Sequence, residues 1–104
     1  MKTVKSKFQV FELINQNQSA IKNLGVKRLG LFGSFVRSQV RAESDVDFLV
    51  EFEPGQKTFD NMMRLGFFLE DLLQRRVELI TPESLSPYIR PYVIQEVEYA
   101  SLAA

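Results

Sequence analysis

The sequence predicts an α/β (α+β) fold, a small three-stranded mixed sheet flanked by helices in the order α-β-α-β-α-β-α. Short apolar runs at 26–32, 46–52 and 76–80 have the length and alternation of strands. The stretches around them carry apolar residues every three or four positions, the helical period. The 104 residues are 45% hydrophobic and 25% charged, with no repeat, low-complexity tract or linker, so residues 1–104 are expected to form one domain.

The first helix is expected from Ser6 to Leu24. Ser6 with Gln9 three residues on has the form of a capping box, Val10, Phe11, Ile14, Ile21 and Leu24 supply the apolar stripe, and Gly25 ends it. Val26 to Phe32 is the first strand, with Leu29 and Leu31 on one face, and it stops at Gly33. Ser34 can cap a short helix to about Val40, and Arg41-Ala42-Glu43-Ser44 is a polar connector.

In the second strand, Val46 to Phe52, the residues Val46, Phe48, Val50 and Phe52 share a face opposite Asp45, Asp47 and Leu49. Glu53-Pro54-Gly55-Gln56 is a turn. Thr58 opens a helix running to Gln74, with Phe59, Met62, Met63, Gly66, Leu69 and Leu73 as its stripe. Arg76 to Ile80 is the third strand, closed by Thr81-Pro82. A last helix is expected from Tyr88 to Leu102. Its apolar residues exceed one core-facing stripe, so it either packs on two sides or offers a face for a homo- or hetero-oligomer. Gly30 and Gly66 read as positions of close packing.

Thirteen basic and thirteen acidic residues give zero formal net charge, so no global field draws the chain to nucleic acid or to an anionic membrane. Without Cys or His there is no thiol nucleophile, imidazole base or soft zinc ligand. Lys2, Lys5 and Lys7 make a basic start, but the polar-interrupted run that follows cannot serve as a signal-peptide core, and no apolar run approaches membrane-spanning length. The expected location is cytoplasmic. Chemistry must come from carboxylates, hydroxyls, backbone amides, Lys or Arg.

Those groups concentrate in one segment. Gly33-Ser34 can offer backbone N–H groups to a phosphate, and after ten intervening residues Asp45-Val46-Asp47 places two carboxylates at i and i+2, on one side of a strand entry, where they can share a divalent metal. Gly33 and the aspartates meet only if the first two strands are antiparallel neighbours. The helix from Thr58 to Gln74 has the length of a parallel crossover, which brings Glu78 near Asp45 and Asp47. Each feature also has a plainer reading. Asp at a strand entry caps turns, Glu78 in a strand within the sheet would need either a metal or an arginine such as Arg75 or Arg76, and Arg37 is either a phosphate ligand one turn beyond Gly33 or a surface residue.

The run Gly33-Ser34-Phe35-Val36-Arg37, then Ser44-Asp45-Val46-Asp47-Phe48-Leu49-Val50, resembles the signature of the minimal nucleotidyltransferases, the MNT branch of the DNA polymerase beta superfamily. The likeness extends to Val77-Glu78-Leu79-Ile80-Thr81-Pro82. It implies a nucleotidyltransferase palm in which Gly33 and Ser34 bind the triphosphate of ATP. Asp45, Asp47 and Glu78 would serve catalysis and hold two magnesium ions. The chain departs from the pattern at Glu78, where Asp is usual, and at Ser38, where Gly is common.

The reaction implied is attack of a hydroxyl on the alpha phosphorus with release of pyrophosphate. Chains of this kind are similar to the antitoxins of HEPN–MNT toxin–antitoxin modules. In that family AMP passes from ATP to a tyrosine of the HEPN toxin, so the partner supplies the acceptor. Two alternatives stand beside this reading: a non-catalytic nucleotide-binding or contact module that inhibits a HEPN-like partner, and modification of a small antibiotic, for which the chain lacks the extra domain that related enzymes use.

Overall fold

The computed structural model describes residues 3–102; Lys2, counted above in the basic start, lies outside them. The elements are α1 (Lys7–Gln16), α2 (Gln18–Lys22), β1 (Val26–Phe32), β2 (Val46–Phe52), α3 (Phe59–Leu73), β3 (Val77–Ile80), α4 (Arg90–Glu96) and β4 (Glu98–Tyr99). The strands form one mixed sheet in the order β3-β2-β1-β4. β1 and β2 are antiparallel, and β2 and β3 are parallel across α3, as the positions of the polar groups and the crossover length require.

The main core lies between one face of the sheet and α1, α2 and α3. Leu29 and Leu31 from β1, Val46, Phe48 and Val50 from β2, and Leu65, Leu69 and Leu73 from α3 are buried there. Truncating a fully buried ring such as Phe48 to Ala removes about 3–5 kcal/mol of stability. On the other face Phe32, Leu49, Leu85 and Val93 make a smaller cluster beneath α4. No described helix is long and apolar enough to cross a membrane.

Four local expectations change. The first helix breaks at Asn17, because its side-chain amide donates to the Leu13 carbonyl at 2.8 Å while its backbone N–H turns to the Ile14 carbonyl at 3.0 Å. After Gly33 the chain makes only a 3₁₀ turn, Gly33–Phe35, since Ser38 takes a left-handed φ of 58° that no helix continues. The buried stripe of α3 runs through Met62, Leu65, Leu69 and Leu73. Phe59 and Met63, placed on it from the sequence, are exposed with Phe67.

The fourth is at the end of the chain. Pro91 marks a late start for α4, and at Val97 the backbone turns extended, with φ −62° and ψ 136°. Glu98 and Tyr99 then pair antiparallel with Leu31 and Gly30, giving the sheet a fourth strand where a helix to Leu102 was expected. Gly30 makes this possible: a side-chain carbon there would collide with Val97 and press on Tyr99. Gly66 plays no such part, because its nearest neighbour is at ordinary contact distance. α4 buries Val93 and leaves Tyr92 and Ile94 exposed, as are Tyr88 and Ile89 in the turn before it, so the surplus apolar face is real.

Candidate active site

The polar groups converge at one end of the sheet, where β1 stops and β2 and β3 begin. Phe32, just before Gly33, stands opposite Asp47 in the antiparallel ladder, and Asp47 stands opposite Glu78 in the parallel one. Gly33 has φ 80°, and a side-chain carbon on it would strike Oδ2 of Asp47. Glycine is therefore required twice, by its backbone conformation and by the carboxylate against it.

Asp47 is half-buried, and its pKa is pushed up to about 6. Burial is the largest cause, followed by the negative charges of Glu78 and Asp45, while the Arg37 guanidinium pulls the other way. Asp47 thus feels both of the other carboxylates at this corner, Asp45 from just before β2 and Glu78 from across the β2–β3 ladder. Among the described residues they do not form a group of three already close enough to hold a metal together. Their oxygen donors nonetheless match a hard divalent cation, and Asp47 in particular is held where a positive charge would lower its energy.

Glu78 corrects one expectation. β3 is an edge strand and the Glu78 side chain is exposed, so burial creates no need for a counter-charge. Nor is Arg75 its partner. Arg75 donates from Nε to the Val4 carbonyl at 2.7 Å and from Nη1 to the carbonyls of Arg41, Ala42 and Ser44 at 3.0, 3.1 and 3.0 Å. It also stacks 5.2 Å from the centre of the Phe35 ring. Arg75 thereby ties the connector that leads into Asp45 to the rest of the fold. The same connector is closed by the Arg41 N–H donating to Oγ of Ser44 at 2.8 Å. Glu70 accepts from the Val77 N–H at 3.0 Å and so fixes the start of β3 next to Glu78.

Arg37 and Gly33 share a partner that sequence reasoning missed. Glu96, at the end of α4, accepts from the Gly33 N–H through Oε2 at 2.8 Å and from Arg37 Nη1 through Oε1 at 2.6 Å. No local pattern marks Glu96; only its place at the end of a helix that packs on Phe32 and Leu49 could have drawn attention to it. Ser34 faces elsewhere, into an open cavity of about 550 Å³ with Gln39, Val40, Arg41 and Ser44. A second cavity of about 560 Å³, with Lys57, Thr81 and Arg90 among its walls, lies at the opposite ends of β2 and β3 and shares no residue with this corner.

A glycine turn beside paired carboxylates at a sheet end suits phosphoryl chemistry, and comparison with known proteins gives it a family. The nucleotidyltransferase domain family matches residues 12–100, a span that takes in all of the site residues. The chain belongs to that family. It is 41% identical over 80 residues to the protein adenylyltransferase MntA of Thermococcus cleftensis, covering 75% of this chain and 78% of the relative. Among solved structures, a minimal nucleotidyltransferase superposes with a TM-score of 0.70 at 34% identity, over 85% of this chain and 93% of that one. The complex of a tri-AMPylated Shewanella oneidensis HEPN toxin with its MNT antitoxin matches with a TM-score of 0.54 at 20% identity, over 86% of this chain and 71% of that one, a likeness of fold. As a nucleotidyltransferase, the chain has a mixed sheet flanked by helices, with β4 a short strand beyond the three expected from the sequence.

Proposed function

We propose that this nucleotidyltransferase is a magnesium-dependent protein adenylyltransferase that moves AMP from ATP to a tyrosine hydroxyl of a HEPN-type partner and so acts as its antitoxin. The observation that carries the reading is the contact of Asp47 with Gly33, which puts a carboxylate coupled to Asp45 and Glu78 directly beside a phosphate-type turn. The name of the Thermococcus relative supports the reaction class, and the Shewanella complex supports the partner class.

In this reading the Gly33 N–H and the Ser34 turn bind the triphosphate, and Arg37 pairs with its oxygens. Asp45, Asp47 and Glu78 would hold magnesium, which when bound neutralises charge on the phosphates and makes the acceptor hydroxyl more acidic. The acceptor oxygen forms a bond to the alpha phosphorus as the bond to the bridging oxygen breaks, and pyrophosphate leaves. Glu78, exposed at the edge strand, either takes the hydroxyl proton from an acceptor that arrives from outside or positions the metal that activates that hydroxyl. Use of ATP is in keeping with a cytoplasmic protein.

A second reading has its own observation. The exposed Tyr88, Ile89, Tyr92 and Ile94 suit a module that restrains a partner by contact alone. The two separate on incubation with alpha-labelled ATP, magnesium and a HEPN-type partner. Label on the partner that disappears in Asp45→Ala and Asp47→Ala supports transfer. Inhibition of the partner that survives both substitutions, with no label, supports contact.

A further inference from the structure

We infer that Glu96 is an internal stand-in for phosphate: its carboxylate occupies the anion seat of the Gly33 turn and sets the affinity for the triphosphate by having to leave. The inference rests on the proposed reading of that turn as the nucleotide seat. Its two oxygens are held as two phosphate oxygens would be, one by a backbone amide at 2.8 Å and the other by a guanidinium at 2.6 Å. An ordinary surface ion pair between Arg37 and Glu96 would need only the second contact.

Exclusion follows from the donors. The Gly33 N–H carries a single proton, so a phosphate oxygen cannot take it while Glu96 holds it, even though Arg37 has further N–H groups to offer. Charge acts in the same direction. Glu96 is near enough to Asp47 to disfavour that residue's charged form, and a triphosphate would add several negative charges to the same corner. With its side chain only 21% exposed, the carboxylate is poorly screened by water.

The backbone that carries Glu96 is anchored on both sides. Before it, Val93 is buried against Phe32 and Leu49; after it, β4 pairs with β1, Lys7 pairs with Glu98 at 2.9 Å and Arg28 stacks 3.9 Å from the centre of the Tyr99 ring. The flexible Glu96 side chain can swing away without undoing any of these contacts. A seat open only part of the time lowers apparent affinity by the open fraction, and nucleotide in the seat must in turn weaken the hold on Glu96.

Binding of ATP with magnesium to the full chain, measured by calorimetry on wild type, Glu96→Gln and Glu96→Ala, tests this. Both variants are expected to bind about tenfold tighter than wild type, with the KM for ATP in the transfer assay falling in step. Equal affinity in all three, or weaker binding in the variants, overturns the inference while leaving the nucleotide seat in place. No binding by any of the three overturns the reading of the seat itself. Should neither variant fold, the wild-type chain decides: the ¹³C resonance of the Glu96 carboxyl must move on saturation with ATP, and a resonance that stays put with ATP bound overturns the inference.

Discussion

Asp47 and Glu78 are direct partners across the parallel β2–β3 ladder, although they are 31 positions apart in sequence, with the whole of α3 between them. This pairing makes Glu78 the third carboxylate of the corner in spite of its exposure, and gives its removal a distinctive signature. Glu78→Gln is expected to lower kcat about a hundredfold or more with the KM for ATP within about twofold. Because the side chain is exposed and its charge opposes that of Asp47, the melting temperature should not fall. Steady-state kinetics alongside thermal unfolding check both.

The contact between Gly33 and Asp47 predicts a loss of both stability and activity on adding one methyl group. Gly33→Ala forces a side chain onto Oδ2 of Asp47 at a φ of 80°, so the variant should lose about 1–3 kcal/mol and adenylyl transfer together. Denaturant unfolding and label transfer measure the two losses. Ser38, also left-handed at φ 58°, should respond in the opposite sense: Ser38→Gly is expected to gain roughly 0.5–1 kcal/mol.

Asp47 also ties stability to pH. Its carboxyl titrates near 6 in the folded protein and near its ordinary 3.8 in the unfolded chain, so between these values the native state binds the extra proton. This group's contribution to stability is therefore complete below about pH 4, is lost as pH rises to about 6 and is flat beyond. Asp47→Asn abolishes the charge, so without nucleotide the variant should melt no lower than wild type at pH 7 and show a shallower slope from pH 4 to 6, while losing transfer. Melting curves across that range check the sign.

Arg75 should behave as a positioning residue. Its four bonds to carbonyls hold the connector before Asp45, and hydrogen bonds to charged groups contribute about 1.5–3 kcal/mol. Arg75→Ala is expected to lower the melting temperature by roughly 10 °C or more. Arg75→Lys, which cannot reach four carbonyls with one ammonium, should recover only part of the loss.

Much of this architecture was legible because it is written locally. The strands Val26–Phe32 and Val46–Phe52 begin and end where alternation and the glycine turns place them, and α3 is bounded by Thr58, whose Oγ1 accepts from the Asn61 N–H at 3.1 Å, and by Gln74. From those spans the antiparallel and parallel pairings followed, and with them the meeting of Gly33, Asp47 and Glu78. What stayed hidden depends on partners far along the chain. A two-residue strand has no alternation to read, and the space above Gly30 acquires meaning only when Val97 and Tyr99 fill it. Arg75 bonds to carbonyls, which every residue has, so no side-chain pattern announces it. Glu78 was misjudged for a related reason, since nothing in a four-residue run says whether it lies at the middle or the edge of a sheet.

Glu96 reaches Gly33 across 63 positions of sequence, whereas Asp47 reaches the same turn through one short connector. Closing the longer loop costs more chain entropy, so a newly made polypeptide brings the aspartate to the glycine well before the glutamate arrives. The turn is thus built around Asp47 by local chain, and its closure by Glu96 is a separate, later contact.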